Sequence, residues 1–334
     1  MDVMNLMKEL EATVAQVNHY IYPLLVGRPK VLYDASSHLI RTGGKRLRPF
    51  LTIKSFELFD DDVKRVLPAA AALEFIHNFT LVHDDIMDHD RIRHNAPTVH
   101  AKYGVPIAIV AGDVLFAKAF LSVVLGMRKM SVDESIIVRV LELAAESAIK
   151  ISEGQAKDLK MASSKKFYST KTYLDMIRSK TATLFEASCR VGSIVGGASI
   201  EDEESMANFG KNLGIAFQLV DDVLGVVGDP RVTGKPVGSD LREGKKTQVV
   251  SLAIKLADDR GRVKIQGVFG RRKATQEELD EALAIISKTG AADRVRNEAR
   301  FYASEALLAL RRYSDSPAKK SLSELMDFVV VRKL

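Results

Sequence analysis

The sequence predicts an all-α protein. Apolar residues recur at helical spacing in long segments that follow one another along the chain. Proline is scarce, with 9 among 334 residues, and the hydrophobic content of 46% is enough for a large core. Since no glycine-, serine- or proline-rich linker divides the chain, we expect one large helical domain over residues 1–334.

Composition limits the classes of partner and location. The 49 basic and 43 acidic residues leave a charge of +6. Because the basic clusters lie in glycine-containing loops and not along one helical stripe, they suit a small polyanion, and we expect no nucleic-acid binding. The single cysteine, Cys189, excludes an internal disulfide and fits a reducing compartment, so we expect a cytoplasmic protein. No signal peptide and no transmembrane segment are expected.

A basic glycine-containing segment interrupts the N-terminal helices. Helices are predicted over Met1–Tyr20, Lys30–Ile40 and Phe50–Phe59. The break at Gly43-Gly44 reads GGKRLRP and carries Lys45, Arg46 and Arg48. Glycine allows close approach of a ligand to backbone, and arginine matches phosphate oxygens, so this loop is a candidate anion site. A solvated basic loop is the alternative.

A central apolar helix ends in clustered acids. Residues 69–88 read AAAALEFIHNFTLVHDDIMD. Asp84 and Asp88 are four residues apart and share a helix face. Two such carboxylates suit Mg²⁺, although a solvated acidic helix end fits equally well. His77 lies about two turns before Asp84 on the same face and is a candidate anion ligand, while a histidine in an apolar pattern is more often a core residue.

A second acidic helix makes the metal interpretation stronger. Residues 209–228 read FGKNLGIAFQLVDDVLGVVG and carry Asp221 and Asp222. Helical bundles build metal sites from side chains on facing helices, so the two acidic helices are predicted to share one site. The following segment, GDPRVTGKPVGSDLREGKKT, is predicted to close over phosphates as a lid; it contains Lys235 and Lys245.

The remaining segments complete the helical prediction. Further helices are expected over Val105–Leu125, with the apolar pattern interrupted at Gly112-Asp113, over Asp133–Lys160 and over Tyr173–Val195. The last of these carries Lys180 and Thr181 in its middle. After Asp88, the polar loop HDRIRHNAPTVH places Arg93 close in sequence to the acids.

Six motifs together resemble a known family. GGKRLRP, LVHDDIMD, GQAKDL, KTATLF, FGKNLGIAFQLVDD and GKPVGSDLREGKKT occur in the order found in trans-isoprenyl diphosphate synthases, and their spacing is similar to that of archaeal-type members. The resemblance spans about residues 43–247. It implies a single polyprenyl synthase domain, an all-α bundle around a deep central cavity, and usually a homodimer. It also implies head-to-tail condensation of isopentenyl diphosphate with an allylic diphosphate (dimethylallyl, geranyl or farnesyl).

The resemblance also assigns roles by motif. It implies that Mg²⁺, as three ions, is bound by Asp84, Asp88 and Asp221. The residues implied for the allylic diphosphate are Arg93, Lys180, Lys235 and Lys245. Those implied for isopentenyl diphosphate are Lys45, Arg48, His77 and His94. Thr181 and Gln218 are implied near the reacting carbons, and together with Lys180 they are the predicted catalytic residues.

Two positions depart from the family pattern. Arg93-His94-Asn95 stands where two arginines and a glycine are usual, so binding of isopentenyl diphosphate is expected to be weaker or pH-dependent. Gly225 stands where many members have aspartate in the second acidic motif. Since Asp221 remains as the direct ligand, we expect only the outer-shell water network to suffer.

Product length is predicted from the residues just before the first acidic motif. Phe79 is aromatic and Thr80 is small, which in the resembled family favours the twenty-carbon geranylgeranyl diphosphate. Phe116 is a further candidate wall residue, so farnesyl diphosphate is the alternative. Two other functions are alternatives for this chain, a terpene cyclase and a non-catalytic partner subunit. A terpene cyclase would turn over an allylic diphosphate without isopentenyl diphosphate. A non-catalytic partner subunit would be inactive alone.

Overall fold

Helices make up most of the part of the chain that the structure describes. The computed structural model describes residues 3–164, 166–227, 238–271 and 273–331. Apart from one hairpin, Ile92–Arg93 (β1) with Ala96–Pro97 (β2), the described elements are helices, which confirms the predicted all-α class. Lys235 and the first half of the predicted lid, residues 228–237, lie outside the described residues.

The chain folds into two compact units. The first comprises Met1–Ala148, Leu184–Gly210 and Leu310–Glu324, and the second comprises Ile149–Thr183, Lys211–Ala309 and Leu325–Leu334. The expectation of one functional domain over residues 1–334 stays a prediction.

The first unit is built around its fourth helix. Its N-terminal helices are α1 (Val3–Ile21), α2 (Lys30–Thr42), α3 (Leu47–Phe56), α4 (Leu67–Met87), α5 (Val99–Tyr103), α6 (Val105–Leu121) and α7 (Met127–Lys129). Helix α4 contacts α1, α3 and α6. Every residue from Ala69 to Ile76 is buried, and the four consecutive alanines present little side-chain bulk to these neighbours. The acidic end of α4 is therefore held by a rigid, close-packed helix.

Helix α6 is continuous where the sequence pattern predicted an interruption. A Cβ added to Gly112 would overlap the imidazole of His83 on α4, so glycine here allows the two helices to approach closely. A π-helical turn, Ser122–Gly126, follows. The segment Val105–Lys129 is long and apolar enough to cross a membrane by length and composition, with a mean hydropathy of 2.1. Core helices of soluble proteins pass the same test, so this single helix is weak evidence of a span.

The remaining helices complete both units. They are α8 (Glu134–Ser163), α9 (Thr170–Ile177), α10 (Thr183–Val195), α11 (Ile200–Val227), α12 (Ser239–Glu243), α13 (Gln248–Leu256), α14 (Asp259–Val268), α15 (Gln276–Lys288), α16 (Ala291–Leu310) and α17 (Pro317–Val331). In the second unit, Leu219 and Val223 of α11 lie in a continuous apolar core with Leu241 and Val250. This core buries one face of α11 next to the second acidic motif.

Between α9 and α10 the helix widens at the predicted functional residues. The sequence predicted one helix over Tyr173–Val195, but helix α9 begins at Thr170 because the Ser169 hydroxyl accepts a hydrogen bond from the backbone of Thr172. Residues Arg178–Ala182 form a π-helical segment that carries Lys180 and Thr181. Such segments are rare and occur frequently at functional sites.

Candidate active site

The last turn of α4 carries the first pair of candidate metal ligands. The backbone amide of Asp88 donates to the carbonyl of Asp84 at 2.8 Å, so both residues lie on one helical turn. Both side chains are partly exposed. Within the described residues, no group of three or more His, Cys, Asp or Glu side chains is arranged to hold a metal ion. Two carboxylates still fit Mg²⁺, which completes its shell with water and substrate phosphate oxygens.

Asp85, between these two acids, has a structural partner. Its side chain is 1% exposed, and the Nε of Arg93 donates to its Oδ1 at 2.7 Å. Burial raises the pKa of Asp85, while Arg93 opposes that rise. The ion pair ties Arg93, a predicted diphosphate ligand, to the turn that carries Asp84 and Asp88. The sequence motif did not reveal this role of Asp85.

The hairpin after α4 explains the Asn95 departure. Arg93 pairs with Ala96, and the two loop residues His94 and Asn95 have φ of 50° and 58°. A two-residue loop with positive φ at both positions is the type I′ turn, in which asparagine substitutes readily for glycine. Asn95 therefore preserves the backbone that glycine would give.

His94 lies against the basic glycine loop. A Cβ added to Gly43 would lie 3.6 Å from the Cβ of His94. Partial burial, together with the charges of Arg93 and Arg46, lowers the pKa of His94. The imidazole is therefore neutral at neutral pH and gains its charge only at lower pH. The predicted pH dependence of isopentenyl diphosphate binding requires a change of charge in this direction.

The basic loop contains one buried and one exposed cation. Arg46 is 4% exposed and donates to the carbonyl of Gly43 at 2.7 Å, to Glu74 Oε1 at 3.2 Å and to Asn18 Oδ1 at 3.1 Å. Its neighbour Lys45 is exposed. Arg46 is thus a structural residue of the loop. The run of basic residues in the sequence does not indicate that Arg46 is buried and Lys45 is exposed.

Arg48 and His77 lie side by side. Arg48 Nη1 is 3.2 Å from His77 Nε2, and the Arg48 guanidinium lies 4.4 Å above the centre of the Phe185 ring. Burial, followed by the charge of Arg48, holds the pKa of His77 well below its usual range. His77 is therefore neutral beside a fixed cation. The structure brings these two predicted isopentenyl diphosphate ligands together.

A row of aromatic rings lies below the first acidic pair. Phe79 is 5.1 Å from Phe116, and Phe116 is 5.0 Å from Phe120, between ring centres. On its other side Phe79 contacts the ring of His83 at 4.9 Å. Thr80 turns its hydroxyl back onto the carbonyl of His77 at 2.8 Å. Phe120 and His83 were not among the predicted wall residues. Phe116 and Phe120 are four residues apart and therefore lie on one face of α6, a spacing that could have indicated Phe120.

In the second unit, the π-helical segment is tied to α8. Lys180 Nζ lies 2.5 Å from Asp158 Oδ2. A Cβ added to Gly154 would overlap the backbone of Lys180, so glycine allows the two segments to meet. Both Gly154 and Asp158 belong to the motif GQAKDL, which the sequence analysis matched to the family without assigning a role.

A hydrogen-bond network connects Thr181 to the second acidic motif. Thr181 Oγ1 donates to Gln218 Oε1 at 3.0 Å, and Gln218 Nε2 donates to Asp222 Oδ1 at 3.1 Å. The hydroxyl of Tyr173 and the backbone amide of Gln248 donate to the other oxygen of Asp222. Burial raises the pKa of Asp222 to about 7. Asp222 is thus an internal anchor.

Asp221, the neighbour of that anchor, is exposed. Of the two adjacent acids, it is the one whose side chain is accessible to a metal ion, as the family motif implied. The structure places Asp221 in the second unit and the pair Asp84 and Asp88 in the first.

The two lysines that follow α12 have different surroundings. Lys246 Nζ donates to the carbonyls of Met161 at 2.6 Å and Ala162 at 3.3 Å, near the end of α8. It therefore satisfies carbonyls that have no helical partner. Lys245 Nζ lies 2.8 Å from Glu243 Oε2 in a partly exposed pair. Lys245 is the one that remains a candidate for diphosphate binding.

Comparison with solved structures defines the class of protein. The crystal structure of geranylgeranyl pyrophosphate synthetase from Pyrococcus horikoshii Ot3 matches with a TM-score of 0.92 and 38% sequence identity, over 100% of both chains. Geranylgeranyl pyrophosphate synthetase from Geoglobus acetivorans matches with a TM-score of 0.85 at 34% identity, over 96% of this chain and 99% of that chain. The fold is therefore the all-α fold of isoprenyl diphosphate synthases.

Sequence comparison then gives the family. The sequence model of the Polyprenyl synthetase family matches residues 29–286. Geranylgeranyl diphosphate synthase of Methanosarcina mazei is 38% identical over 334 residues, 100% of both chains. Geranylfarnesyl diphosphate synthase of Aeropyrum pernix is 42% identical over 320 residues, 95% of this chain and 99% of that one. The chain belongs to the polyprenyl synthetase family, as its six motifs predicted.

Proposed function

We propose that this chain is a trans-prenyltransferase that condenses isopentenyl diphosphate with allylic diphosphates and releases geranylgeranyl diphosphate. The observation that carries this proposal is the full-length similarity to a geranylgeranyl diphosphate synthase, at 38% identity over 334 residues. The predicted residues for metal and both diphosphates are present in the chain, which supports the same reaction. In that reaction the allylic carbon–oxygen bond breaks, a carbon–carbon bond forms and one proton leaves.

The acidic residues are proposed to hold the metal. Asp84, Asp88 and Asp221 would bind Mg²⁺, in our proposal three ions with the substrate diphosphate. When bound, Mg²⁺ neutralises the charge that develops on the departing diphosphate. The acidic residue that follows Asp84 and the one that follows Asp221 have other partners. Asp85 accepts a hydrogen bond from Arg93, and Asp222 accepts one from Tyr173. These pairings fix the backbone turns on which the ligands are carried.

Four cations are proposed to bind the allylic diphosphate, and each of the three that the structure describes has an acidic neighbour. Arg93 lies beside Asp85, Lys180 beside Asp158, and Lys245 beside Glu243. An ion pair of this kind restricts the side chain before substrate arrives, and charge-assisted hydrogen bonds to phosphate oxygens are stronger than neutral ones. Lys235 completes the proposed set. The released diphosphate is the proposed acceptor of the proton.

A second set is proposed for isopentenyl diphosphate. Lys45, Arg48, His77 and His94 belong to the first unit. Arg48 provides a fixed guanidinium because it stacks on Phe185 and contacts His77. A cyclase does not require this second diphosphate site, which favours the condensing reaction.

Thr181 and Gln218 are proposed to stabilise the allylic cation with oxygen dipoles. Their orientation is fixed by the hydrogen bonds that run from Thr181 through Gln218 to Asp222. Preorganised dipoles stabilise developing charge without reorganisation during the reaction. Lys180, the preceding residue, is proposed to act on the departing diphosphate.

We further propose a cytoplasmic homodimer that acts as one functional domain over residues 1–334. Helix α6 and the turn after it expose large apolar side chains, among them Ile109, Val110, Leu121 and Leu125. An exposed apolar helix face of this kind is typical of a subunit interface. Native mass spectrometry measures the subunit number directly, and a monomer would contradict this part of the proposal.

Product analysis tests the proposed reaction. The purified chain is incubated with isopentenyl diphosphate and each allylic primer, and products are separated by chain length. We expect a twenty-carbon product. The geranylfarnesyl relative makes a twenty-five-carbon product the second candidate, with fifteen carbons as the shorter alternative. Turnover of the allylic substrate without isopentenyl diphosphate would identify a cyclase, and inactivity of the chain alone would identify a partner subunit.

A further inference from the structure

A buried histidine of α2 contacts the hairpin formed by β1 and β2. His38 is 8% exposed, and its ring packs edge-on against Tyr103 with 5.6 Å between ring centres. Its Nε2 lies 2.8 Å from the carbonyl oxygen of Pro97 in β2, and its Nδ1 lies 3.4 Å from Lys102 Nζ. These residues all belong to the first unit. His38 is not one of the proposed ligands of metal or substrate, so its buried position needs another reason.

The two polar neighbours of the ring fix its hydrogen bonding. A carbonyl oxygen only accepts hydrogen bonds, and a lysine ammonium only donates them. Nε2 of His38 therefore donates to Pro97, and Nδ1 accepts from Lys102. The ring has one tautomer in this environment, and its N–H is directed at the hairpin.

The hairpin is anchored through both strands, on two different helices. Strand β1 is tied to α4, because Arg93 donates to the buried Asp85 at 2.7 Å. Strand β2 is tied to α2 by the bond from His38 to Pro97. A single anchor would leave the hairpin free to rotate about that contact. Two anchors on different helices fix its orientation.

The anchor on α2 also determines where the tip of the hairpin lies. From His38 to Gly43, α2 and its cap rise about 7.5 Å. From Pro97 back to His94, three residues of extended chain span about 10 Å. The two segments are therefore of similar length, and they meet again at the tip, where a Cβ added to Gly43 would lie 3.6 Å from the Cβ of His94. The hairpin thus contacts α2 at His38 and the start of the basic glycine loop at Gly43.

We propose that His38 is a positioning residue for isopentenyl diphosphate binding, because its bond to Pro97 holds His94 against the basic glycine loop. This inference rests on the proposed function, since His38 would act through residues proposed to bind that substrate. Without the bond, the hairpin would spend part of its time away from the loop. Apparent affinity falls with the fraction of molecules that are competent to bind. The allylic site should be affected less, because Arg93 keeps its own anchor on α4.

The experiment varies the donor and the reach of residue 38. His38→Leu has no donor, His38→Gln has an amide nitrogen that can take the place of Nε2, and His38→Asn has an amide one methylene shorter. Ser36→Ala is the matched control, because Ser36 is also buried in α2 and donates to the carbonyl of Ala111 on α6 at 3.3 Å. One readout is calorimetric titration with isopentenyl diphosphate, which needs no turnover. The other is the KM and kcat for each substrate.

The expected results follow from the loss of one directional bond. His38→Leu should raise the Kd and the KM for isopentenyl diphosphate by about three- to tenfold, the effect of one ordinary hydrogen bond, while the KM for the allylic diphosphate stays near the wild-type value. His38→Gln should recover most of this loss. His38→Asn should resemble His38→Leu, because its amide does not reach the carbonyl. Ser36→Ala should lower the Tm and keep the wild-type Kd.

The outcomes separate this inference from the proposed function. Wild type that binds isopentenyl diphosphate without condensing it would contradict the proposed function, and the calorimetric comparison would still decide the role of His38. Wild type with no affinity for isopentenyl diphosphate would overturn both. A wild-type Kd in His38→Leu, or equal weakening in His38→Gln or Ser36→Ala, would overturn only the inference. Should His38→Leu fail to fold by circular dichroism, the comparison of His38→Asn with His38→Gln decides.

Discussion

Removal of the Phe79 ring should lengthen the product. Phe79 precedes Asp84 by five residues, which corresponds to about 7.5 Å along the helix axis. A growing isoprenoid tail that runs along α4 away from the acids would meet this ring. In Phe79→Ala the space of the ring becomes available to apolar chain, so the main product should gain at least one five-carbon unit.

The size of the effect can be worked from the ring contacts. Phe79 makes two ring pairs, with His83 at 4.9 Å and Phe116 at 5.1 Å. Each aromatic pair is worth about 0.5–1.5 kcal/mol beyond the burial of its area, so loss of the two pairs alone should lower the free energy of unfolding by about 1–3 kcal/mol. This loss leaves a large domain folded. Phe116 and Phe120 remain as a second layer, and the double variant Phe79→Ala with Phe116→Ala should lengthen the product further.

The assay is chromatography of the products made from isopentenyl diphosphate and a farnesyl primer. Phe59→Ala is the matched control, because Phe59 is also partly buried in the first unit and forms one ring pair, with Tyr313 at 5.8 Å. The control should keep the wild-type product. If Phe79→Ala is folded and active but yields the wild-type distribution, the ring does not limit chain length.

Three further predictions concern metal, pH and stability. Asp84→Ala or Asp88→Ala should cut turnover by orders of magnitude, because each removes a proposed metal ligand; near-normal turnover at saturating Mg²⁺ would refute the assignment. His94→Arg should lower the KM for isopentenyl diphosphate about tenfold or more at about pH 8, where the lowered pKa of His94 leaves the wild-type imidazole neutral, and by less as the pH falls through that pKa and the imidazole gains its charge. A KM that responds neither to pH nor to the substitution would show that His94 does not contact substrate. Arg46→Ala should lower the free energy of unfolding in urea by about 3–5 kcal/mol, because it leaves Glu74 buried without its ionic partner, and a loss under about 1 kcal/mol would contradict a structural role.

Sequence patterns were sufficient for the helical class and the family. Helical periodicity identified both acidic helices, and six ordered motifs identified a family that the comparisons bear out. The motif also singled out Asp221 rather than Asp222, a choice that fits the burial of Asp222 and the exposure of Asp221. The roles of the predicted site residues and the central cavity between helices stay predictions.

Long-range pairs were beyond the reach of pattern analysis. Asp158 lies 22 residues before its partner Lys180, and no local spacing indicates that they meet. Gly225 is interpreted from the sequence only as the loss of a family aspartate, because the sequence does not show that the Asp240 side chain lies against it. Arg46 and Lys45 are adjacent and both basic, and only burial distinguishes the structural residue from the accessible one.

The buried Arg46 has a consequence for affinity. Gly43, Gly44 and Arg46 all have positive φ, and the Arg46 side chain fixes this backbone through bonds to α1, α2 and α4. Ordering a residue costs about 1–2 kcal/mol of backbone entropy, so ordering a flexible loop of four residues on binding would weaken the binding free energy by about 4–8 kcal/mol. Here that cost is met during folding. If Lys45 in this loop and Arg48 at the start of α3 bind a diphosphate as proposed, they would do so from a preorganised backbone, and most of their interaction energy would be retained as affinity.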